Sequence, residues 1–226
     1  MEMTKLQASI PEPDQDPEPI VPAPEDPPAN TLPIVETFHS LQGEGYWAGT
    51  DAFFIRIGGC TVGCPWCDTK LSWNPKLHPQ RSIGDLAAEA RAAQPRLVII
   101  TGGEPSQWDL TSLTIALKEA NLRPHVETSG AYPLRGQFDW VTLSPKPFKP
   151  PHPTVYPQVQ ELKIIIAQAQ DFDWAEEQSA QVGAEVWRYL QPEWNQPQAA
   201  QWIMDYIRSH PQWRLSLQTH KILSIR

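Results

Sequence analysis

Along this chain, short apolar runs rich in β-branched and aromatic residues alternate with stretches whose apolar positions recur every three or four residues. The first kind predicts strands at Ile34–His39, Phe53–Ile57, Leu97–Thr101, His125–Thr128, Trp140–Leu143, Glu161–Ile166, Glu185–Leu190 and Arg214–Gln218. The second predicts helices from Ser82 to Ala93, near Leu110–Ala120, near Phe172–Gln181 and around Gln198–Ser209. Ser82 stands where an N-cap is wanted, with Asp85 three residues on. Strands alternating with helices imply a parallel sheet covered by helices. The stretch 33–226 is shorter than the roughly 250 residues of a complete eight-fold barrel. The expected fold is therefore α/β, a partial, open TIM-type barrel of about six parallel strands with covering helices.

Residues 1–32 break this rhythm. They hold eight prolines and seven acids (Glu2, Glu12, Asp14, Asp16, Glu18, Glu25, Asp26) against one base, Lys5. The chain's net charge is −8, so with −6 in this segment only about −2 remains for 33–226. Such a composition cannot bury enough apolar surface to offset its ordering entropy. Residues 1–32 are thus expected to be a disordered acidic tail, and 33–226 one domain. The charge argues against nucleic acid as a partner. No apolar run reaches the ~18 residues of a membrane span, and no secretory signal opens the chain. The expectation is a soluble, cytoplasmic protein.

Only three cysteines occur, all in Cys60-Thr-Val-Gly-Cys64-Pro-Trp-Cys67. Pairing would leave one over, so a metal site in a reducing compartment fits better than a disulfide. Three thiolates on a loop after a strand can wrap an iron–sulfur cubane and leave one iron open for an amino and a carboxylate group. The rival is a structural zinc ion, whose fourth ligand would come from afar, from His39 or His78. Sites in parallel α/β folds form at the C-terminal ends of strands. Polar clusters stand at several such ends: Thr101-Gly-Gly-Glu-Pro105, Glu127-Thr-Ser-Gly130 and Ser144-Pro-Lys146.

With this cysteine spacing, and Trp66 before the last cysteine, the chain resembles the radical S-adenosylmethionine superfamily. That resemblance implies a 4Fe–4S cluster on Cys60, Cys64 and Cys67, and S-adenosylmethionine cleaved to a 5′-deoxyadenosyl radical. Gly102, Gly103 and Glu104 resemble the motif that holds the methionine amino group, although such a loop can also be a plain turn. Within the superfamily, Gln42-Gly-Glu-Gly45, Cys67-Asp-Thr69 and Thr219-His-Lys221 resemble the 7-carboxy-7-deazaguanine synthase family over nearly all of 33–226. The implied reaction contracts the ring of 6-carboxy-5,6,7,8-tetrahydropterin to 7-carboxy-7-deazaguanine and releases ammonia.

By this resemblance Gln42, Gly43, Glu44, Gly45, Thr101, Glu127, Gln191 and His220 contact the substrate, and Arg226 brings its terminal carboxylate to it. Ser144 and Lys146 join the S-adenosylmethionine site, and no protein side chain is assigned as catalytic. Arg56 lies in Phe53-Phe-Ile-Arg-Ile57, where a buried guanidinium needs a partner. It either clamps the substrate carboxylate or turns to solvent or a structural acid. Thr69 either offers its hydroxyl to Mg2+ or caps a turn. An electron donor such as flavodoxin or ferredoxin and a homodimer are also implied. Two alternatives remain, a glycyl-radical-enzyme activase and, from another class, a zinc-stabilised binding module.

Overall fold

A computed structural model describes residues 30–225. The tail expected over the first residues, and the role expected of Arg226, lie outside the described residues but for Asn30, Thr31 and Leu32. Strand β1 (Thr31–Leu41) is followed by β2 (Asp51–Ile57), β3 (Gln80–Ser82), helix α1 (Ile83–Ala93) and β4 (Leu97–Gly102). Then come α2 (Thr111–Glu119), β5 (Pro124–Thr128), β6 (Trp140–Leu143) and β7 (Glu161–Ile166). The chain ends with α3 (Asp171–Ser179), β8 (Trp187–Pro192), α4 (Ala199–Ser209), β9 (Trp213–Leu215) and α5 (Thr219–Leu223).

All nine strands form one sheet in the order β3-β1-β2-β4-β5-β6-β7-β8-β9. From β2 to β9 every pairing is parallel, which makes seven parallel strands where about six were expected. β3 and β9 remain its two edges, so the barrel is open. β1 is antiparallel to β2, with Leu41 opposite Asp51 and Ile34 opposite Ile57. No helical pattern separates these two strands, and without a crossover a chain can only return antiparallel.

Helix α1 starts where the pattern placed it, and the Asp85 N–H donates to Ser82 Oγ (3.1 Å). Gln94 closes the helix in the left-handed region (φ 50). Strand β4 is buried on both faces: Val98 and Ile100 meet Leu86, Leu113 and Leu117 under the helices, while Leu97 and Ile99 meet Phe54 inside the barrel. Each of these side chains contributes roughly 1.5–3 kcal/mol of hydrophobic stabilisation. The interior is therefore apolar at the strands' N-terminal ends and opens into polar residues at their C-terminal ends.

Candidate active site

Pleat alternation brings Phe54 and Arg56 of β2, and Lys163 and Ile165 of β7, to the wall of one cavity. The C-terminal ends of β4, β5 and β8 and the loop after β6 complete that wall, together with the cysteine loop, Gln42–Glu44 and the segment leading into α5. The enclosed volume is ≈ 310 Å³, the scale of a small heterocyclic ligand.

Cys60, Cys64 and Cys67 all line this cavity. Their loop is pinned at both ends. Gly59 N–H donates to Ser72 O (2.7 Å) and Cys60 N–H to Trp73 O (3.1 Å). Gly63 takes φ +72, which opens the loop between the first two thiols. Backbone N–H groups of Val62 and Thr69 point at the sulfurs of Cys60 and Cys67, each at 3.4 Å, as donors to cluster sulfurs do. Burial pushes the Cys60 thiol up to about 11. Lys149 anchors the loop from outside, donating to Thr61 O (3.2 Å), Thr61 Oγ1 (2.8 Å) and Tyr132 Oη (2.8 Å). Among the described residues no three His, Cys, Asp or Glu side chains converge on one ion. A cluster offers each thiolate an iron of its own. Soft donors on one wall of a roomy cavity fit a cluster.

The Thr101–Pro105 loop follows β4 beside the cysteines. A Cβ at Gly102 would stand 2.3 Å from Ile57 O, and one at Gly103 2.2 Å from Gly59 O. Gly102 is therefore required by the backbone at the end of β2 and Gly103 by the entrance to the cysteine loop, whatever ligand also reaches them. Glu104 is 2% exposed. It accepts from Ser106 N–H (2.9 Å), Thr128 Oγ1, Ser129 N–H (2.8 Å) and Ser129 Oγ. These four donors occupy the usual capacity of a carboxylate, so Glu104 ties the loops after β4 and β5 together at the cavity wall. Lys146, also buried, donates to Ser144 Oγ (2.8 Å), and burial lowers its pKa.

The opposite wall carries a charged network. Gln42 Nε2 donates to Glu127 Oε1 (2.8 Å), and Thr101 Oγ1 approaches Glu127 Oε2 (3.5 Å). Lys163, 5% exposed, donates to Glu44 and stands 3.9 Å from Glu127. Gln218 Nε2 holds the other Glu44 oxygen (2.8 Å). Burial opposes the charge on Glu44, but Lys163, Gln218 and His220 outweigh it and hold the carboxyl below its usual range. Gln191 accepts from Ser216 Oγ (2.8 Å) and is 3% exposed.

Arg56 turns to a structural acid without leaving the cavity wall. Its Nε donates to Glu36 Oε1 (2.9 Å), and its side chain still lines the cavity. Thr69 lines the cavity as well, with its hydroxyl on Asp68 Oδ1 (3.2 Å). The chain end crosses the mouth: Thr219 N–H and Oγ1 both donate to Gly43 O (3.0 and 2.9 Å), and Lys221 pairs with Asp68 (2.7 Å). His220 packs so closely on Gly43 that a Cβ there would lie 2.1 Å from its Nδ1.

Of the site residues expected within the described region, Gly45 alone stays off the cavity wall. It takes φ +64, donates to Ser216 Oγ (3.0 Å), and leaves room for Glu161, whose Oε1 would be 1.9 Å from a Cβ. Gly45 is a turn residue seated on a buried acid. Lys163 and Gln218 are wall residues that the sequence reading missed. Lys163 stands in Glu161-Leu-Lys-Ile-Ile-Ile166 as Arg56 stands in its strand, so the rule that found one cation could have found the other.

A strand-borne cavity with three thiols on one loop defines a class, and residues 54–146 match the family model of the radical SAM superfamily. The chain is 56% identical to 7-carboxy-7-deazaguanine synthase of Synechocystis sp. over 87% of its own length and 94% of that protein. It is 50% identical to the enzyme of the same name from Flavobacterium psychrophilum, over 86% and 92%. A crystal structure of QueE from Escherichia coli superposes with a TM-score of 0.75 at 32% identity, covering 83% of this chain and 94% of that one. The chain belongs to the 7-carboxy-7-deazaguanine synthase family.

Proposed function

We propose that this chain converts 6-carboxy-5,6,7,8-tetrahydropterin to 7-carboxy-7-deazaguanine with release of ammonia, a ring contraction in 7-deazapurine biosynthesis. The carrying observation is that the three thiols, Arg56 and the Gln42–Glu44 loop face one cavity in a chain of this family. A 4Fe–4S cluster on Cys60, Cys64 and Cys67, with S-adenosylmethionine, would supply hydrogen-atom abstraction there.

The protein's own part is binding, orientation and exclusion of water. Glu44 and Glu127 present carboxylates, and Gln42 and Gln191 amides, to the hydrogen-bonding edge of a pterin. Arg56, with Nε taken by Glu36, offers the rest of its guanidinium to the substrate carboxylate. Lys163 keeps Glu44 ionised, so that this edge meets an acceptor. Ser144, Lys146 and the Thr101–Glu104 loop shape the S-adenosylmethionine side of the cavity. His220 and Gln218, carried at the start of α5, close the mouth against water. The terminal carboxylate of Arg226 completes the substrate contacts in this reading.

Mg2+ belongs to the same reading, with Thr69 as its protein hydroxyl. Mg2+ usually keeps waters and takes few protein ligands beside substrate oxygens, and Thr69 and Arg56 share the cavity wall. Reductive cleavage needs an electron from outside, supplied by a protein such as flavodoxin or ferredoxin. A thiol-ligated site suits a reducing cytoplasm. No helix among the described residues is long and apolar enough to cross a membrane. Family resemblance supports a homodimer.

The test is anaerobic reconstitution with iron and sulfide, then incubation with dithionite, S-adenosylmethionine, Mg2+ and the carboxy-tetrahydropterin. Mass spectrometry should find 5′-deoxyadenosine and 7-carboxy-7-deazaguanine together. Deoxyadenosine alone would reject the substrate, and zinc without labile sulfide would reject the enzyme.

A further inference from the structure

The loops after β4, β5 and β6 meet on one residue of the cysteine loop, Thr61, which follows Cys60. Thr61 N–H donates to Gln107 Oε1 (3.1 Å). Its hydroxyl shares a hydrogen bond with Tyr132 Oη. Its hydroxyl and its carbonyl both accept from Lys149 Nζ (2.8 and 3.2 Å). Lys149 also donates to Tyr132 Oη (2.8 Å), with its ammonium 4.6 Å from the centre of that ring. A short turn aims it: Lys149 N–H donates to Lys146 O (3.1 Å), with Pro147 inside the turn and Pro150 after it. The turn puts Lys146 on the cavity wall, leaves Lys149 off that wall, and seats Phe148 edge-on against Trp66 (5.8 Å).

A neutral donor could hold a loop by hydrogen bonds alone, and an ammonium is the costlier group to take from water. The acceptors of Lys149 are one carbonyl and two hydroxyls, so no carboxylate among the described residues cancels its charge. Lys149 is half-buried, where a charge is screened less than at an open surface. On the other side stands an acid. Glu104, whose N–H donates to Gly59 O (2.8 Å), brings a buried carboxylate that Cys60 feels. Thiolates make a cluster anionic, and reduction adds one electron and one further unit of negative charge, with no bond made or broken. Nearby charge therefore sets how readily the electron is accepted. We propose that Lys149 is a positioning residue of the cluster. Held on Thr61, it keeps a positive charge beside Cys60, opposes Glu104, and eases transfer of one electron from an external low-potential donor to the iron. The proposal rests on the cluster assigned above to Cys60, Cys64 and Cys67.

The test uses the full chain, reconstituted anaerobically with iron and sulfide and poised against a viologen couple. Electron paramagnetic resonance then counts the reduced cluster. At a poise where the parent is half reduced, Lys149→Met should lower the ratio of reduced to oxidised cluster by about threefold or more. Lys149→Arg keeps the cation and should stay within about twofold of the parent. Tyr132→Phe removes a hydroxyl that both Thr61 and Lys149 use but leaves the ammonium on Thr61, so its ratio should also stay within about twofold. Release of iron to a chelator reads the anchoring of the loop separately, and should quicken in Lys149→Met and Tyr132→Phe alike. An unmoved ratio in Lys149→Met, even with faster iron release, would make Lys149 a mechanical anchor and overturn the proposal. So would a Lys149→Arg variant that behaves like Lys149→Met, or a Tyr132→Phe variant shifted as far. Those results leave the cluster standing, whereas a parent holding zinc and no labile sulfide would overturn the cluster and this role together.

Discussion

Two cations stand among the apolar residues of their strands, Arg56 in β2 and Lys163 in β7, and a buried cation is costly without a partner. Arg56 has Glu36 at 2.9 Å and Lys163 has Glu44 and Glu127, so each is stable before any ligand arrives. Arg56→Ala should reduce 7-carboxy-7-deazaguanine formation about a hundredfold, the scale of a lost charge-assisted contact, while uncoupled 5′-deoxyadenosine formation continues. Normal turnover would remove Arg56 from substrate binding. Lys163→Met makes a sharper case. Burial alone would raise the Glu44 carboxyl, and Lys163 is the first of the groups that bring it down. Without the cation the Glu44 carboxyl should titrate higher, and the acid limb of kcat/KM should move up by at least one pH unit. An unmoved profile between pH 6 and 9 would show that Lys163 does not govern that carboxylate. The requirement for a partner is legible in the sequence at both cations. Which acid supplies it is not, because Glu44 lies 119 positions from Lys163 and the barrel alone brings them together.

At the scale of elements, the turn after β1 and the short helix α5 hold each other. Thr219 caps Gly43 O, His220 fills the space where a Cβ would be, and Gln218 reaches Glu44. Gly43→Ala should push His220 and α5 off the mouth and lower turnover at least tenfold. The melting temperature should stay within a few degrees, since α5 buries none of its residues. A large loss of stability with turnover intact would contradict that. Under the same turn, Glu161 accepts from Tyr46 N–H (3.3 Å) and Trp140 Nε1 (3.1 Å), and burial raises its pKa to about 7. The folded state thus holds a proton that the unfolded chain has released above about 4.5. Stability from this residue is intact below pH 4.5, falls as pH rises, and is lost above pH 7. The shift corresponds to something like 3 kcal/mol. Glu161→Gln keeps an acceptor oxygen, so it should melt several degrees higher than the parent at pH 8, with the gap closing toward pH 5. A constant gap would place Glu161 as ionised throughout. Periodicity located β6 and β7 to the residue, and Ser82 as a cap. It could not show β3 or α5, since three residues of strand and five of helix are too short to express a period.

Over the whole molecule, the same alternation that announced a parallel sheet also decided where chemistry could stand, because strand ends in an open barrel converge on one cavity. That is why fourteen widely spaced polar and glycine positions, named from strand ends and from the family resemblance, stand with three cysteines on the wall of one cavity. Gly45 departs from them, since its motif neighbours face the cavity while its own backbone turns away. The similarity to the Synechocystis enzyme covers 87% of this chain and 94% of that one, so little of that enzyme is missing when the first residues here are set aside. β1 begins at Thr31, and Leu32, 2% exposed, already belongs to the core. Removal of residues 1–29 should therefore leave product formation within twofold of the full chain, because truncation is tolerated where no buried contact is cut. Removal of residues 1–33 should cost both stability and turnover, as it takes the Leu32 side chain and the Pro33 O that accepts from Gly58 N–H (2.8 Å) at the entrance to the cysteine loop. Melting curves and product assays on the two truncations decide it: equal loss in both would mean that the first 29 residues support the catalytic domain directly.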